Sequence, residues 1–283
     1  MPLATTKEML LDAQRGGYAV GAFNAENLEM VQAIVAAAEE ARSPVIVQTT
    51  PSTLKYAPPE AFAGMVRAIA ERASVPVALH LDHGDSSALC ARCFRAGYSS
   101  IMIDGSKLPL EENVALSRSV AETCHAAGIP VEAELGEVGG KEDSTVSKGD
   151  HLTNPADAER FVRETLVDSL AVGIGTAHGV YKTAPHLDVG RLSEIRAAVS
   201  VPLVLHGASG LADKDVKDCI GRGICKVNFA TELRQAFTGA VRKFLAGDAG
   251  AFDPKKFGKP ARDAVKEQVL ARMATCGSVG RAD

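Results

Sequence analysis

The chain lacks the marks of several protein classes. It has no excess of positive charge, because 31 Lys and Arg stand against 35 Asp and Glu. That removes the bulk electrostatic footprint of a nucleic-acid or anionic-membrane binder. Any phosphate it holds must therefore be met by local geometry. No apolar run approaches the length of a membrane span. The opening "MPLATTKEMLLDAQRGG" has no apolar core of signal-peptide length. Six cysteines (Cys90, Cys93, Cys124, Cys219, Cys225 and Cys276) are spread over 283 residues and form no disulfide framework. A chain this long with 46% apolar residues buries a core without staples. The expectation is a soluble, cytoplasmic protein in a reducing compartment, with no nucleic-acid and no membrane partner.

What the chain does have is a repeat. Short apolar runs recur, each followed by a helical pattern. They are "YAVGAFN" (18–24), "PVIVQTT" (44–50), "PVALHLD" (76–82), "SIMID" (100–104), "VEAELG" (131–136), "SLAVGIG" (169–175), "PLVLHGA" (202–208) and "CKVNFA" (225–230). Several are near-continuous in Val, Ile and Leu, which marks strands buried on both faces of a parallel sheet. Pro44, Pro76, Pro130 and Pro202 stand at strand starts, where a missing N–H costs no ladder bond. Eight βα units in about 245 residues fit a (β/α)8 TIM barrel. The alternative, an open doubly wound sheet, carries a glycine-rich dinucleotide loop after its first strand. Here that strand ends "AFNAEN". No low-complexity linker divides the chain. One α/β barrel domain over 1–283 is expected, with a C-terminal helical extension from about residue 247 that opens with "GDAGAFDPKKFGKP".

Active sites of such barrels form at the C-terminal ends of the strands. Nearly every predicted strand delivers a polar group there. The series runs Asn24, Asp82 with His83, Asp104, Glu134, His178 in "GTAHG", His206 in "LHGASG", then Asn228 and Thr231. His83, His178 and His206 come from strands 3, 6 and 7. Each alone reads more readily as a hydrogen-bonded core or rim histidine. Together, beside acids, they point to a metal held by three protein ligands with one position open. His80 shares a strand face with Asp82; it either supports the cluster or packs in the barrel interior. "CARC" (90–93) has the spacing of a redox pair, but it sits in a helix pattern and reads as packing.

Phosphate is the second theme. "GASG" (207–210) and "NFAT" (228–231) follow strands 7 and 8 and precede helices. Loops at these places cradle phosphate in many barrels. Small residues let backbone N–H groups approach the anion, and a helix N-terminus adds its dipole. Both segments also read as ordinary turns and N-caps. The polar loop "GEVGGKEDSTVSKGDH" (136–151) has the length of a lid. Its Glu142 is either a base that swings over a substrate or part of a solvated charge run.

"ALHLDHG", "MIDGS", "VEAELGEVGGKED", "GTAHGVY", "LVLHGASG" and "KVNFATELR" occur in register. The chain so read resembles the class II, zinc-dependent ketose-bisphosphate aldolases, above all the tagatose-bisphosphate branch, with the fructose-bisphosphate enzymes as relatives. The resemblance implies a lyase of carbohydrate metabolism and glycolysis. Its reaction would be reversible cleavage of a ketose 1,6-bisphosphate into dihydroxyacetone phosphate and glyceraldehyde 3-phosphate through a zinc-stabilised enediolate. It implies zinc on His83, His178 and His206, with Asp82 as the acid for the aldehyde-derived oxygen. It makes Glu142 the lid base, and Asp104 and Glu134 the holders of a second or alternative ion. It assigns Asn24, Gly179, Gly207, Ala208, Ser209, Asn228, Phe229, Ala230 and Thr231 to the substrate and its phosphate. A monovalent cation, Na+ or K+, and a homodimer or homotetramer are implied as well. The other class of aldolase uses a lysine Schiff base; Lys226, on the face of Asn228, is the nearest lysine to that role.

One departure stands out. Where the family carries an arginine for the distal phosphate, supplied by a neighbouring subunit, the segment reads "DPKKFGK" (253–259) and Lys259 takes its place. Lysine meets an anion as a point charge, without the bidentate fork. The alternative expectation is therefore an aldolase for another ketose 1-phosphate with a different aldehyde half.

Overall fold

The computed structural model describes residues 3–142, 145–147, 152–181, 183 and 185–282, with no side-chain description for 141, 142 and 145–147. Eight parallel strands close into a barrel: β1 (Val20–Asn24), β2 (Val45–Thr49), β3 (Val77–Gly84), β4 (Ser100–Ile103), β5 (Val131–Leu135), β6 (Ser169–Val172), β7 (Leu203–Leu205) and β8 (Ile224–Phe229). Each strand pairs with its sequence neighbours, and β1 pairs with β8 to close the ring. The helices are α1 (Thr6–Gly16), α2 (Leu28–Ala41), α3 (Pro51–Tyr56), α4 (Pro59–Ala70), α5 (Ser87–Ala96), α6 (Leu110–His125), α7 (Pro155–Thr165), α8 (Val189–Ala198), α9 (Asp213–Gly221), α10 (Thr231–Gly247) and α11 (Pro254–Cys276). This is the expected (β/α)8 TIM barrel with C-terminal helices. Among the described residues no helix is long and apolar enough to cross a membrane.

Strand alternation sorts the side chains into two environments. Phe23, Val47, Leu79, Leu81, Ile101, Ala133, Leu170, Leu205 and Val227 face the helices in one continuous core. Each large aliphatic buried there contributes about 1.5–3 kcal/mol relative to exposure. Inward positions change character along the barrel axis. Near the N-terminal end Ala22, Ile46 and Ala78 are cross-strand neighbours, and α1 seals them with Met9, Leu10 and Ala13. One step towards the other end, Asn24, Gln48, His80 and Ser100 are the neighbours. The barrel is therefore apolar at its floor and polar at its rim.

Several strands are shorter than their apolar runs. β6 ends at Val172 and β7 at Leu205, because the chain leaves the barrel there to form rim loops. The lid region, read above as a loop, contains strand Gly139–Glu142. It pairs with Thr145–Ser147 and, through Gly139 and Gly140, with Ala177–His178. Backbone pairing, not side-chain pattern, makes that small sheet. A Cβ on Gly140 (φ 87°) would fall 2.3 Å from the His178 carbonyl oxygen, so this crossing requires glycine.

Candidate active site

The rim begins with a defect in β3. Leu81 pairs with Ile101 and Gly84 with Ile103, so β3 carries one residue more than β4 over this span. This is a β-bulge, which re-aims side chains. His83 sits within it at φ +48°, an uncommon conformation for a residue with a Cβ. Simple alternation would send Asp82 and His83 to opposite faces. The bulge instead brings His83 Nε2 within 4.0 Å of Asp82 Oδ1.

His178 and His206 reach the same place from the loops after β6 and β7. Ring centroids lie 5.1 Å (His83–His178), 4.6 Å (His83–His206) and 6.1 Å (His178–His206) apart. One nitrogen from each lies within 4.8 Å of the others. His83 Nδ1 is 2.7 Å from Asp104 Oδ2. His83, Asp104 and Glu134 form a second group with the same closeness, so the residues expected to hold a second ion share His83 with the first set. Burial alone would raise the Asp104 carboxyl. The hydrogen bond and charge of His83, with donation from Ser106, hold it well below the usual carboxylate range.

His206 is fully buried, with Nε2 3.0 Å from Glu132 Oε1. Its Nδ1 stands 3.1 Å from Glu134 Oε2. Among the described residues neither of these two buried atoms makes an aligned hydrogen bond. Burial and the neighbouring His83 push the His206 imidazolium down; the bond to Glu132 and the close Glu134 carboxylate outweigh them and hold it up at about 9. Three imidazoles converging on buried carboxylates, with polar atoms left unsatisfied at the centre, form a donor set that fits zinc. Glu132 occupies Nε2 of His206, which leaves Nδ1 as the nitrogen turned towards that centre.

Below the rim lies a network that the sequence reading did not assemble. Lys226 is 0% exposed, and its Nζ lies 3.0 Å from Glu132 Oε2. Burial would raise Glu132; Lys226 first, then His206 and His80, pull it far down. His80 is also fully buried, with Nδ1 2.8 Å from Ser100 Oγ. Burial and the nearby Lys226 ammonium lower its pKa well below the ordinary value, so it stands neutral in the barrel interior. An ammonium clasped by a buried carboxylate is not a free amine for Schiff-base chemistry. Replacing Glu132 with alanine leaves that ammonium without its partner. Chemical denaturation should then show a loss of about 3–5 kcal/mol; a loss within experimental error would mean that the pair is relieved by water.

Asp82 is fixed by amides. Asn228 donates to Oδ1 at 3.0 Å, while Asn24 and Gln48 donate to Oδ2 at 3.0 and 3.1 Å. Gln48 also donates to Asn24 Oδ1 at 2.8 Å. Asn24 and Asn228, expected at the substrate, thus also orient the expected acid. Gln48 was missed, although its place beside Asn24 follows from strand register. Glu132 was missed too, although it shares a strand face with Glu134.

Two cavities flank the histidines, and His178 lines both. The larger, about 330 Å³, runs past Ser52, Lys55, Asp85, Lys107 and Glu137. The smaller is walled by Gly179, Gly207, Ser209, Asn228, Ala230 and Thr231, with Asn24 and Arg234. Ser209 Oγ accepts the Ala230 N–H at 3.1 Å and ties the two expected phosphate loops together. The Tyr181 hydroxyl accepts from Ala177 N–H at 2.7 Å and donates to the Gly207 carbonyl at 2.8 Å. Gly207 has φ 68°, and a Cβ there would fall 2.8 Å from the Ala177 backbone. Ala208 is buried in the outer core. Phe229 turns outward to stack on Phe23 at 5.6 Å under the Arg272 guanidinium. Neither lines the cavities. Lys259 lies exposed on α11, 2.8 Å from Asp263, and lines neither cavity. The Glu142 side chain falls outside the described residues; its backbone ends the strand that continues from Val138 and Gly140 of the larger cavity's wall.

Fold and rim together define a TIM-barrel enzyme with its polar centre at the strand ends. The chain matches the family model for class-II fructose-bisphosphate aldolase over residues 4–281. It is similar to the YdjI aldolase of Escherichia coli K12, at 38% identity and TM-score 0.89, over 99% of this chain and 100% of that one. A Coccidioides immitis protein, provisionally assigned as a fructose-1,6-bisphosphate aldolase, matches at 33% identity and TM-score 0.88, over 97% and 96%. The fructose-bisphosphate aldolase of Campylobacter jejuni shares the fold, at 22% identity and TM-score 0.83, over 98% and 96%. The chain belongs to the class-II fructose-bisphosphate aldolase family. Its chemistry is accordingly that of an aldolase, a carbon–carbon lyase.

Proposed function

We propose that the protein is a zinc-dependent aldolase acting on a ketose 1,6-bisphosphate, tagatose or fructose, to give dihydroxyacetone phosphate and glyceraldehyde 3-phosphate reversibly. The observation that carries this reading is the convergence of His83, His178 and His206, with Asp82 4.0 Å from His83, between two cavities that share His178. Such a layout suits a substrate with its phosphate in the smaller cavity and its aldehyde half in the larger. Zinc on the three imidazoles would act as a Lewis acid towards the ketone oxygen. In the condensing direction Glu142 takes a proton from the hydroxymethyl carbon of dihydroxyacetone phosphate. The carbanion attacks the aldehyde carbon, and Asp82 gives its proton to the new alkoxide. The amides of Asn24, Gln48 and Asn228 hold Asp82 for that transfer. A monovalent cation beside the phosphate, a homodimer or homotetramer that brings Lys259 to a neighbour's site, and a cytoplasmic location complete the proposal.

Lys259 in place of arginine favours a second reading, an aldolase for another ketose 1-phosphate. Tagatose and fructose bisphosphates differ at C4, the carbon whose oxygen Asp82 serves. A substrate panel of both bisphosphates and several ketose 1-phosphates, coupled to detection of dihydroxyacetone phosphate, separates these readings. Cleavage of one bisphosphate in strong preference to the monophosphates is expected. Cleavage of monophosphates alone would establish the second reading, and no cleavage at all would sink both.

A further inference from the structure

A phosphate dianion needs positive charge, and the described residues that line the proposed phosphate cavity offer little of it. Gly179, Gly207, Ser209, Asn228, Ala230 and Thr231 carry none. His178 belongs to the metal set. Arg234 is the lysine or arginine that lines this cavity among the described residues. It stands in the first turns of α10, the helix whose N-terminus opens on the same cavity. The leading N–H groups of a helix have no carbonyl before them to bond, and they favour an anion.

The surroundings of Arg234 direct it. Its Nε donates to Glu26 Oε1 at 2.7 Å, and Nη2 lies 2.6 Å from the same oxygen. Thr53 Oγ1 donates to Glu26 Oε2 at 2.7 Å. The guanidinium is thereby held on one edge by the loop after β1, which lowers the ordering cost of meeting a ligand. The acid in the first turn of α10, Glu232, does not cancel this field at the cavity. Both its oxygens are taken by Arg272, at 2.7 Å each, on the outward side near Phe229.

We propose that Arg234 binds the phosphate of the ketose substrate and brings fixed positive charge to the cavity. This rests on the reading that the cavity takes a phosphate. Arginine suits the role because its planar fork matches phosphate oxygens.

The test compares two donor substrates with one aldehyde in the condensing direction: dihydroxyacetone phosphate, and dihydroxyacetone, which lacks the phosphate. Arg234→Gln should raise the KM for dihydroxyacetone phosphate roughly 10- to 100-fold, the size of a lost charged hydrogen bond. The KM for the aldehyde and the slow rate with dihydroxyacetone should stay unchanged. Arg234→Lys should recover part of the loss. Equal losses with both donors, or none, would overturn the proposal and leave Arg234 as a structural partner of Glu26. A second readout does not need turnover. Calorimetric titration of the zinc-loaded protein with inorganic phosphate should give at least about tenfold weaker binding in Arg234→Gln, provided its melting temperature matches the parent. Unchanged binding, or a parent protein that binds no phosphate, would overturn it as well. A parent that binds phosphate through Arg234 yet makes no aldol product would count against the proposed reaction and not against this residue.

Discussion

Replacing His206 with alanine should remove the metal and nearly all turnover. The barrel gives this side chain no other freedom. It is fully buried, Glu132 holds Nε2 at 3.0 Å, and Nδ1 faces Glu134 and the other imidazoles. A bound metal supplies several kcal/mol of stabilisation to developing charge, and each 1.36 kcal/mol is tenfold in rate. The expected fall in kcat is therefore roughly 10³- to 10⁵-fold. Metal content by atomic absorption should drop with it. A variant that kept its zinc and full turnover would remove His206 from the ligand set.

Asp82→Ala should separate chemistry from metal binding. Its carboxylate accepts from Asn24, Gln48 and Asn228 and stands 4.0 Å from the nearest His83 nitrogen. A positioned acid or base contributes about 10²- to 10⁴-fold, so kcat should fall by that amount while zinc content holds. Alanine is a cleaner change than asparagine here. An amide NH2 at this place would confront three amide donors, and part of any effect would then be repulsion. Loss of zinc in Asp82→Ala would make Asp82 a support of the metal site instead of the proton carrier.

Much of this rim was legible because barrel strands end where their apolar runs turn polar. "HLDHG" and "LHGASG" show that change within a few residues. The bulge in β3 was not legible. Period-two reasoning separates Asp82 from His83, and only the register between β3 and β4 shows the extra residue that unites them. Gly84 was the faint signal: a Cβ there would lie 2.4 Å from the Met102 carbonyl oxygen. The buried Glu132–Lys226 pair hid for another reason. Each residue looks ordinary within its own strand, and the pairing depends on barrel closure bringing β5 and β8 side chains across the interior. Of "NFAT", Asn228, Ala230 and Thr231 line the smaller cavity, while the Phe229 ring turns outward by alternation after Asn228. Arg234 closes the "KVNFATELR" motif, yet a helical arginine reads as solvated surface until α10 is seen to start at the cavity.

The most direct test is the release of dihydroxyacetone phosphate from tagatose and fructose 1,6-bisphosphates, measured before EDTA dialysis, after it, and after zinc is restored. The expected result is cleavage that disappears with the metal and returns with about one zinc per chain, the stoichiometry of a catalytic three-ligand site. Full cleavage by protein shown to be free of metal after prolonged dialysis would contradict a zinc-assisted aldol reaction at His83, His178 and His206.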